Sequence, residues 1–167
     1  LTFVAAPNFE APTDSGSNNV YDVTVQAADG NGGTDTQAIA VTVTNVNEAP
    51  VITSDGAGAT ATRNAAENGT AVTTVTATDV DAATTLTYSI SGGADAAKFA
   101  INSSTGVLTF VSAPDFEVPT DIGGNNVYDV TVQVSDGAFT DTQGIAVTVT
   151  NVNESPVITS EGGGTTA

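Results

Sequence analysis

The most regular feature of the chain is the alternation of apolar and polar residues over short stretches. Residues 128–134 alternate Tyr and Val with Asp, Thr and Gln, and residues 145–149 alternate Ile and Val with Ala and Thr. A period of two residues is typical of a β-strand that buries one face. Similar strands are predicted at 72–77, 86–90, 99–101 and 107–111. Together with one further strand that has no assigned range, they make seven short strands separated by Gly, Asn, Asp and Pro. With no sustained helical period, this pattern predicts an all-β fold, a two-sheet β-sandwich of about 100 residues.

The chain also repeats itself. The segment at residues 44–50 recurs almost unchanged at 150–156, and the stretch 18–26 recurs at 125–133, an offset of 107 residues (125 − 18). Self-similarity of this kind is the signature of tandem domains. The register of the repeat predicts three pieces, namely the C-terminal half of one repeat at 1–49, a complete repeat at 50–155, and the start of a third repeat at 156–167. The first repeat is therefore expected to be truncated.

Charge is the outlying property of the composition. The chain carries 19 Asp and Glu against 2 Lys and Arg, a net charge of −17, and it contains neither His nor Cys. Such a chain repels nucleic acid and anionic membrane surfaces, and it has no apolar stretch long enough for direct membrane insertion. Without His or Cys it lacks the usual general base and thiol nucleophile, so we do not expect an enzyme. Divalent cations are the natural counterpart of this charge.

The acidic residues are concentrated where predicted strands begin or end. Two acidic pairs each enclose one apolar residue, namely Asp79 with Asp81 and Asp115 with Glu117. The single acids Glu67 and Asp136 lie beside other strands. In each i, i+2 pair both carboxylates can point to one side of the chain. Calcium takes about six to eight oxygen ligands from carboxylates, Asn side chains and backbone carbonyls, which matches this inventory. The alternatives are that these acids only form turns or keep the protein soluble.

A family resemblance is carried by motifs spread over the whole chain. In order, they are Glu67-Asn68-Gly69-Thr70, Ala77-Thr78-Asp79-Val80-Asp81, Leu86-Thr87-Tyr88, Gly106-Val107-Leu108, Pro114-Asp115-Phe116-Glu117, Tyr128-Asp129-Val130, Asp136-Gly137 and Asn151-Val152-Asn153-Glu154-Ser155-Pro156. Together they resemble the cadherin repeat, in the style found in large bacterial surface proteins. The resemblance implies a Greek-key, immunoglobulin-like β-sandwich in tandem array, with Ca²⁺ bound at each junction between neighbouring repeats.

The same resemblance implies a set of metal ligands. For the junction after the first repeat they are Asn8, Glu10, Asn45, the carbonyl of Val46, Asn47, Glu48, the carbonyl of Ala49, Asp79, Asp81 and Asp136. For the second, half-built junction they are Glu67, Asp115, Glu117, Asn151, Asn153 and Glu154. Asn8 and Asn45 stand where the family has acids, so we expect weaker sites near the first repeat. One firm ion per junction is expected. At the first junction, the ligands of this ion are expected to be Asn47, Asp79, Asp81 and Asp136.

Two binding functions fit this interpretation. In the first, calcium stiffens a stalk of repeats on an extracellular surface, where calcium is abundant enough to fill weak sites. In the second, each repeat recognises a carbohydrate or a cell-surface protein. The stalk is favoured because Tyr21, Tyr88 and Tyr128 fall on predicted core faces and leave few exposed aromatics. The expected partners are calcium ions and neighbouring repeats of the same protein, with cell-surface proteins or glycans as the alternative.

Four residues outside the predicted metal sites have weaker assignments. Tyr128 is either a tyrosine corner or an ordinary core residue. Asp35 and Asp141 lie at the start of Thr-rich strands and are expected to face solvent. Asp95 lies in a loop, and its position in the sequence assigns it no role.

Overall fold

The computed structural model describes residues 1–158, and the chain divides into two compact units. The first unit contains Leu1–Glu48 together with the loop Val80–Ala83. The second contains Ala49–Asp79 and the chain from Thr84 onward. Residues 159–167 of the predicted third repeat lie outside the described residues. Among the described residues, no helix is both long enough and apolar enough to cross a membrane.

The first unit is built on one β-hairpin. Strand β1 (Val20–Ala28) pairs antiparallel with β2 (Thr34–Thr42), with Val23 opposite Ile39. The loop at residues 29–33 is closed by a hydrogen bond from the Asp29 N–H to the Gly33 carbonyl, 3.1 Å. The hairpin repeats the last two strands of the second unit, which have the same pairing.

The second unit contains nine strand segments in the part of it that the structure describes. They are β3 (Val51–Ile52), β4 (Thr60–Ala66), β5 (Ala71–Thr74), β6 (Ala77–Thr78), β7 (Thr87–Gly92), β8 (Phe99–Ile101), β9 (Val107–Phe110), β10 (Val127–Ser135) and β11 (Thr140–Thr150). One sheet has the order β4-β11-β10-β7, and the other has the order β5-β9-β8, with β3 paired to β6. The only helical element of the described chain is a 3-10 turn at Ala96–Lys98. The predicted all-β sandwich is confirmed.

The number of segments exceeds the predicted seven strands because two strands are interrupted. The strand predicted at 72–77 breaks between β5 and β6, where the Val75 N–H leaves the ladder and donates to the Gly106 carbonyl, 2.8 Å. Gly106 has φ +69°, a left-handed conformation that favours glycine. The first strand of the repeat is likewise divided into β3, which is antiparallel to β6, and β4, which is parallel to β11.

The core lies between the two sheets of the second unit. The alternating apolar positions from which β10 and β11 were predicted are all buried: Tyr128, Val130, Val132, Val134, Ile145, Val147 and Val149. From the opposite sheet, Phe99 and Phe110 stack at 4.7 Å between ring centroids, and Tyr128 meets Phe110 edge-on at 5.3 Å. Each fully buried side chain of this size stabilises the fold by about 1.5–3 kcal/mol.

Tyr128 is a tyrosine corner as well as a core residue. Its ring is buried, and its hydroxyl accepts a hydrogen bond from the Thr120 N–H, 3.0 Å, eight residues upstream. The first unit repeats the contact, because the Tyr21 hydroxyl accepts from the Thr13 N–H at 3.2 Å. The two alternatives weighed for Tyr128 are therefore both correct.

We expect Tyr128→Phe to lower the free energy of unfolding by about 1–2 kcal/mol, because the Thr120 N–H loses its acceptor in a partly buried setting. Tyr21→Phe is the matched control, since Tyr21 is only half-buried and water can replace its hydroxyl. Urea denaturation of both variants measures the difference. Equal losses from the two substitutions would contradict a special role for the buried corner.

Two acids turn out to be structural. Asp141, expected to face solvent, accepts a hydrogen bond from the Ile52 N–H at 2.8 Å and so fastens the short strand β3 to β11. Asp95, which had no assigned role, is buried and accepts from the N–H groups of Ile122 (2.8 Å) and Asp129 (2.9 Å). It therefore joins the 3-10 turn to β10 and to the loop before it.

Candidate metal centre

Three carboxylates meet in the first unit. Glu10, Glu48 and Asp81 each offer an oxygen atom, and these atoms all lie within 4.8 Å of one another. Calcium binds oxygen at about 2.3–2.6 Å, so two ligands of one ion lie no more than about 5 Å apart. The three oxygens therefore satisfy the distance requirement for sharing one calcium ion.

Backbone hydrogen bonds set the positions of these acids. The side-chain oxygen of Asn8 accepts from the N–H groups of Glu10 (2.8 Å) and Ala11 (3.2 Å), which folds the turn that carries Glu10. The carboxylate of Asp81 accepts from the Asn45 side chain (2.7 Å) and from the Glu48 N–H (2.9 Å). The segment 45–48 thus wraps around one carboxylate, and its own acid, Glu48, is brought beside it.

A second group of three carboxylates lies in the second unit. Glu67, Asp115 and Glu117 again offer oxygens that all lie within 4.8 Å of one another. Glu67 is only 3% exposed, and its two oxygens accept from the N–H groups of Val152 (2.7 Å) and Phe116 (2.8 Å). It therefore ties the end of β4 both to the loop after β9 and to the segment after β11.

The turn that carries Glu117 is the same as the one that carries Glu10. The Asp115 carboxylate accepts from the N–H groups of Glu117 (2.9 Å) and Val118 (3.1 Å), as Asn8 does in the first unit. Such a turn is typical of Asx residues, and it explains why an acid two positions later points back toward the first. The spacing of these pairs in the sequence thus reflects a local backbone structure.

The predicted Asn ligands approach the acids through nitrogen. Asn45 donates from Nδ2 to Asp81, and Asn151 donates from Nδ2 to Glu117 at 2.6 Å. Asn47 and Asn153 donate to the backbone carbonyls of Glu48 (3.0 Å) and Glu154 (3.4 Å). A side-chain amide carries both a donor and an acceptor, so a half-turn of the terminal torsion exchanges nitrogen for oxygen.

The second cluster is electrostatically unequal. Hydrogen bonds from the Val152 and Phe116 N–H groups lower the pKa of Glu67 below its ordinary value. Partial desolvation raises the pKa of Glu117, and the negative charges of Glu67, Glu154 and Asp115 raise it further. The ionised form of Glu117 is therefore disfavoured unless a cation offsets the surrounding negative charge.

The remaining predicted ligands lie on the same loops and strand ends. Asp79 follows β6 in the second unit, and Asp136 follows β10, where its carboxylate accepts from the N–H groups of Ala138 and Phe139, both at 2.6 Å. Val46 is 70% exposed, and Ala49 opens the second unit. The predicted metal site formed by Asn47, Asp79, Asp81 and Asp136 stays a prediction.

Two further structural features were not predicted from the sequence. Asn68 donates from Nδ2 to the Glu154 carboxylate at 2.8 Å. Asp14 accepts from three backbone N–H groups, and its repeat partner Asp121 accepts from two, so each folds a loop of the sequence Asp followed by Gly and two Asn. The exact recurrence of Asn-Asn at 18–19 and 125–126 was the available signal for these loops.

We expect Glu117→Gln to stabilise the protein at neutral pH in the presence of a chelator. The folded pKa of Glu117 is raised above its ordinary value of 4.5, so its contribution to stability is present below that value and is lost as the pH rises through the folded pKa. Glutamine removes the disfavoured charge and keeps an oxygen for Asn151. Thermal unfolding as a function of pH measures the effect.

The gain from Glu117→Gln should vanish as the pH falls below the ordinary value of Glu117. Glu67 has the opposite sign: its lowered pKa contributes stability above its ordinary value of 4.5, and that contribution is lost as the pH falls through the folded pKa. Asp35→Asn, at an exposed acid of β2, is the control for a general change of charge. A Glu117→Gln protein that is less stable than the wild type at neutral pH would contradict the assignment.

Comparison with known proteins defines the class. The family model of the cadherin domain matches residues 60–153, and the chain belongs to this family. Among individual proteins, the chain is 39% identical over 99 residues to human protocadherin Fat 4, which covers 56% of this chain and 2% of that protein. It is 31% identical over 154 residues to human protocadherin Fat 1, which covers 88% of this chain and 3% of that protein.

Solved structures agree with the fold. The chain is similar to the structure described as protocadherin gamma B2 extracellular cadherin domains 1-5, with a TM-score of 0.60 and 25% identity over 84% of this chain and 28% of that chain. It is also similar to domains 3-6 of the same protein, with a TM-score of 0.60 and 24% identity over 88% of this chain and 37% of that chain. The resemblance to the cadherin repeat is confirmed, and the chain spans only a small part of each relative.

Proposed function

We propose that this protein is a calcium-binding structural and adhesive repeat of an extracellular surface protein, in which Ca²⁺ rigidifies the junctions between repeats. The observation that carries the proposal is the pair of three-carboxylate clusters, Glu10, Glu48 and Asp81 in one and Glu67, Asp115 and Glu117 in the other. Each cluster brings together carboxylates from segments that are far apart in the sequence, such as Glu10 with Asp81 and Glu67 with Asp115. Like charges at these distances repel one another, so the arrangement favours a divalent cation as the counter-ion.

The chain itself has almost no positive charge to offer these clusters. Its two basic residues are Arg63 and Lys98, and Arg63 is paired with the Asp55 carboxylate. The donor set consists of carboxylates, Asn side chains and backbone carbonyls, with neither His nor Cys. Oxygen-only coordination is the preference of calcium and magnesium and not of zinc or copper. Magnesium requires shorter bonds and nearly ideal octahedral geometry, so calcium fits these clusters better.

Within this proposal the residues divide by junction. Asn47, Asp79, Asp81 and Asp136 would hold the firm ion of the first junction, with Glu10, Asn45, Glu48 and the carbonyls of Val46 and Ala49 completing weaker positions. Glu67, Asp115, Glu117, Asn151, Asn153 and Glu154 would serve the second junction. Calcium supplies positive charge and coordination there. The dissociation constants expected of extracellular modules, about 10⁻⁴ to 10⁻³ M, suit an extracellular location.

Binding would stiffen the chain because the ligands come from separate segments. In the first unit Glu10 lies in the turn formed by Asn8, Glu48 lies after β2, and Asp81 lies in the loop after β6. An ion that holds all three fastens these segments together, a role that no disulfide can fill in a chain without cysteine. Similarity to extracellular cadherin domains supports the extracellular role. The alternative of a carbohydrate- or protein-recognition module gains little support, since Tyr128 is buried in the core.

A calcium titration of a double variant tests the ligand assignment. Asp79→Ala combined with Asp81→Ala should weaken the tightest calcium binding by at least about tenfold, because affinity follows the number of carboxylate ligands. Isothermal titration measures it, with Asp35→Ala as the matched control, an exposed acid on β2 that the proposal leaves outside the sites. Unchanged affinity in the double variant, or three equally tight sites per junction in the wild type, would refute the assignment.

A further inference from the structure

Two Asn-Gly pairs occur in the chain, Asn31-Gly32 and Asn68-Gly69. In such a pair the backbone nitrogen of the glycine can attack the side-chain carbonyl carbon of the asparagine, because glycine has no Cβ to hinder the approach. The attack closes a five-membered succinimide ring and releases ammonia. Water then opens the ring at either of its two carbonyls and gives aspartate or isoaspartate. The structure distinguishes the two pairs.

Asn31 lies in the hairpin loop between β1 and β2, and its side chain is exposed. The backbone on both sides of the reacting bond is held, because the Asp29 carboxylate accepts from the N–H groups of Asn31 (2.8 Å) and Gly33 (2.9 Å). Between them, Gly32 has φ +102°, a conformation available to glycine. Within residues 1–158, no hydrogen bond engages the Asn31 side chain or the Gly32 N–H. The two reacting groups are therefore unencumbered.

Asn68 is held in place. Its Nδ2 donates to the Glu154 carboxylate at 2.8 Å, and its backbone N–H donates to the Pro114 carbonyl at 3.0 Å. For the ring to close, the side chain must leave a hydrogen bond to a charged acceptor, which is stronger than one to a neutral acceptor. Ring closure at Asn68 is therefore disfavoured by the same contact that links it to the second cluster.

We propose that Asn31 is a site of spontaneous deamidation, the one Asn-Gly pair of this chain that the fold leaves open to ring closure. The reaction needs only water and releases one molecule of ammonia, with no change in oxidation state. An amide becomes a carboxylate, so the net charge moves from −17 to −18 (−17 − 1). The isoaspartate product also places an additional carbon atom in the main chain of the loop.

The modified loop contains a residue of functional interest. Asp29 is the repeat counterpart of Asp136 (136 − 29 = 107), which is a predicted calcium ligand. The N–H groups of Asn31 and Gly33 lower the pKa of Asp29 and orient its carboxylate. The additional main-chain carbon lies between these two donors, so they can no longer meet the same carboxylate oxygen at the same spacing. Deamidation would thus alter the acid of this loop in one repeat only, because the corresponding loop after β10, Asp136-Gly137-Ala138-Phe139, contains no asparagine. This consequence rests on the proposed function, whereas the reaction does not.

Peptide mass mapping after incubation of the whole chain in warm, mildly alkaline buffer tests the proposal. Asn31 should gain the mass that distinguishes OH from NH₂ at least about tenfold faster than Asn68, a difference of about 1.4 kcal/mol in activation free energy. The rate should rise with pH, since the Gly32 nitrogen must lose its proton to attack. Enzymatic methylation of isoaspartyl groups should label the same peptide. Conversion of Asn68 as fast as Asn31 would overturn the proposal.

Two variants sharpen the test. Asn31→Gln should abolish the mass change in that peptide, because glutamine closes a larger ring far more slowly, and the exposed position tolerates the substitution. Glu154→Ala should accelerate conversion of Asn68 by about tenfold, since it removes the protecting acceptor. A synthetic peptide with the sequence of residues 28–34 sets the reference rate. An Asn31 that stays intact while this peptide converts would refute the proposal. The incubation is carried out in excess chelator, so the deamidation rate is measured without calcium. Its outcome is therefore separate from that of the proposed function.

Discussion

Removing calcium with a chelator should lower the midpoint of thermal unfolding by about 10–20 °C. A ligand present at a hundredfold excess over its dissociation constant stabilises the native state by about 2.7 kcal/mol. For a domain of about 100 residues, each kcal/mol shifts the midpoint by about 4–8 °C. The shift is expected to be large because the clusters at Glu67 and Glu10 combine close carboxylates with segments that are distant in the sequence.

Circular dichroism melting in about 10 mM calcium, a hundredfold excess over a dissociation constant of about 10⁻⁴ M, and then in excess chelator measures this shift. Magnesium at the same concentration is the control for ionic strength, and it should restore much less of the lost stability. The double change Asp79→Ala and Asp81→Ala should bring the calcium-loaded midpoint close to that of the chelated wild type. A midpoint that does not respond to the chelator would remove the basis for calcium as the junction ion.

Asp95→Ala should lower the free energy of unfolding of the second unit by about 2–5 kcal/mol. Asp95 is 4% exposed, and its two carboxylate oxygens are the acceptors for the N–H groups of Ile122 and Asp129. Alanine removes the acceptor of two partly buried hydrogen bonds, and each hydrogen bond to a charged group contributes about 1.5–3 kcal/mol. The loss should therefore exceed that of most surface substitutions several-fold.

Chemical denaturation followed by tyrosine fluorescence measures the effect of Asp95→Ala. Asp95→Asn is the informative companion, because it keeps one acceptor oxygen and turns the other into an NH₂ group that faces a backbone donor. We expect Asp95→Asn to be intermediate. Asp35→Ala removes an exposed acid from the first unit and controls for charge. A loss from Asp95→Ala no greater than that from Asp35→Ala would show that the two hydrogen bonds are replaced by water.

The longest strands were predictable because their burial is periodic. Val130, Val132 and Val134 alternate with polar residues in the sequence, and all three are buried. The break between β5 and β6 was not predictable, because it depends on a hydrogen bond from Val75 to Gly106, a residue about thirty positions away. The structural role of Asp95 was not predictable for the same reason, because its oxygens accept hydrogen bonds from N–H groups 27 and 34 positions further along the chain. Contacts of this length leave no local pattern.

The candidate site was predictable to a similar degree. The pair Asp115 and Glu117 could be recognised locally, because an Asx turn places acids two residues apart on one side. The proximity of Glu67 to this pair could not be recognised locally. It depends on where β4 ends relative to the loop after β9, and the pairing of the strands determines that position. The direction of the Asn45 and Asn151 amides could not be read from the sequence, because nitrogen and oxygen differ only in the partners that the fold provides.

The parallel pairing of β4 with β11 bears on how a repeat transmits force. β4 lies near the beginning of the repeat and β11 at its end, and seven residue pairs from Gly144–Thr60 to Thr150–Ala66 connect them. Tension applied to the two ends of the domain pulls these strands along their length in opposite directions. The hydrogen bonds between them are then loaded together in shear, instead of being peeled apart one at a time. In a row of such domains, the pairing of β4 with β11 is therefore the part of each sheet that resists the tension.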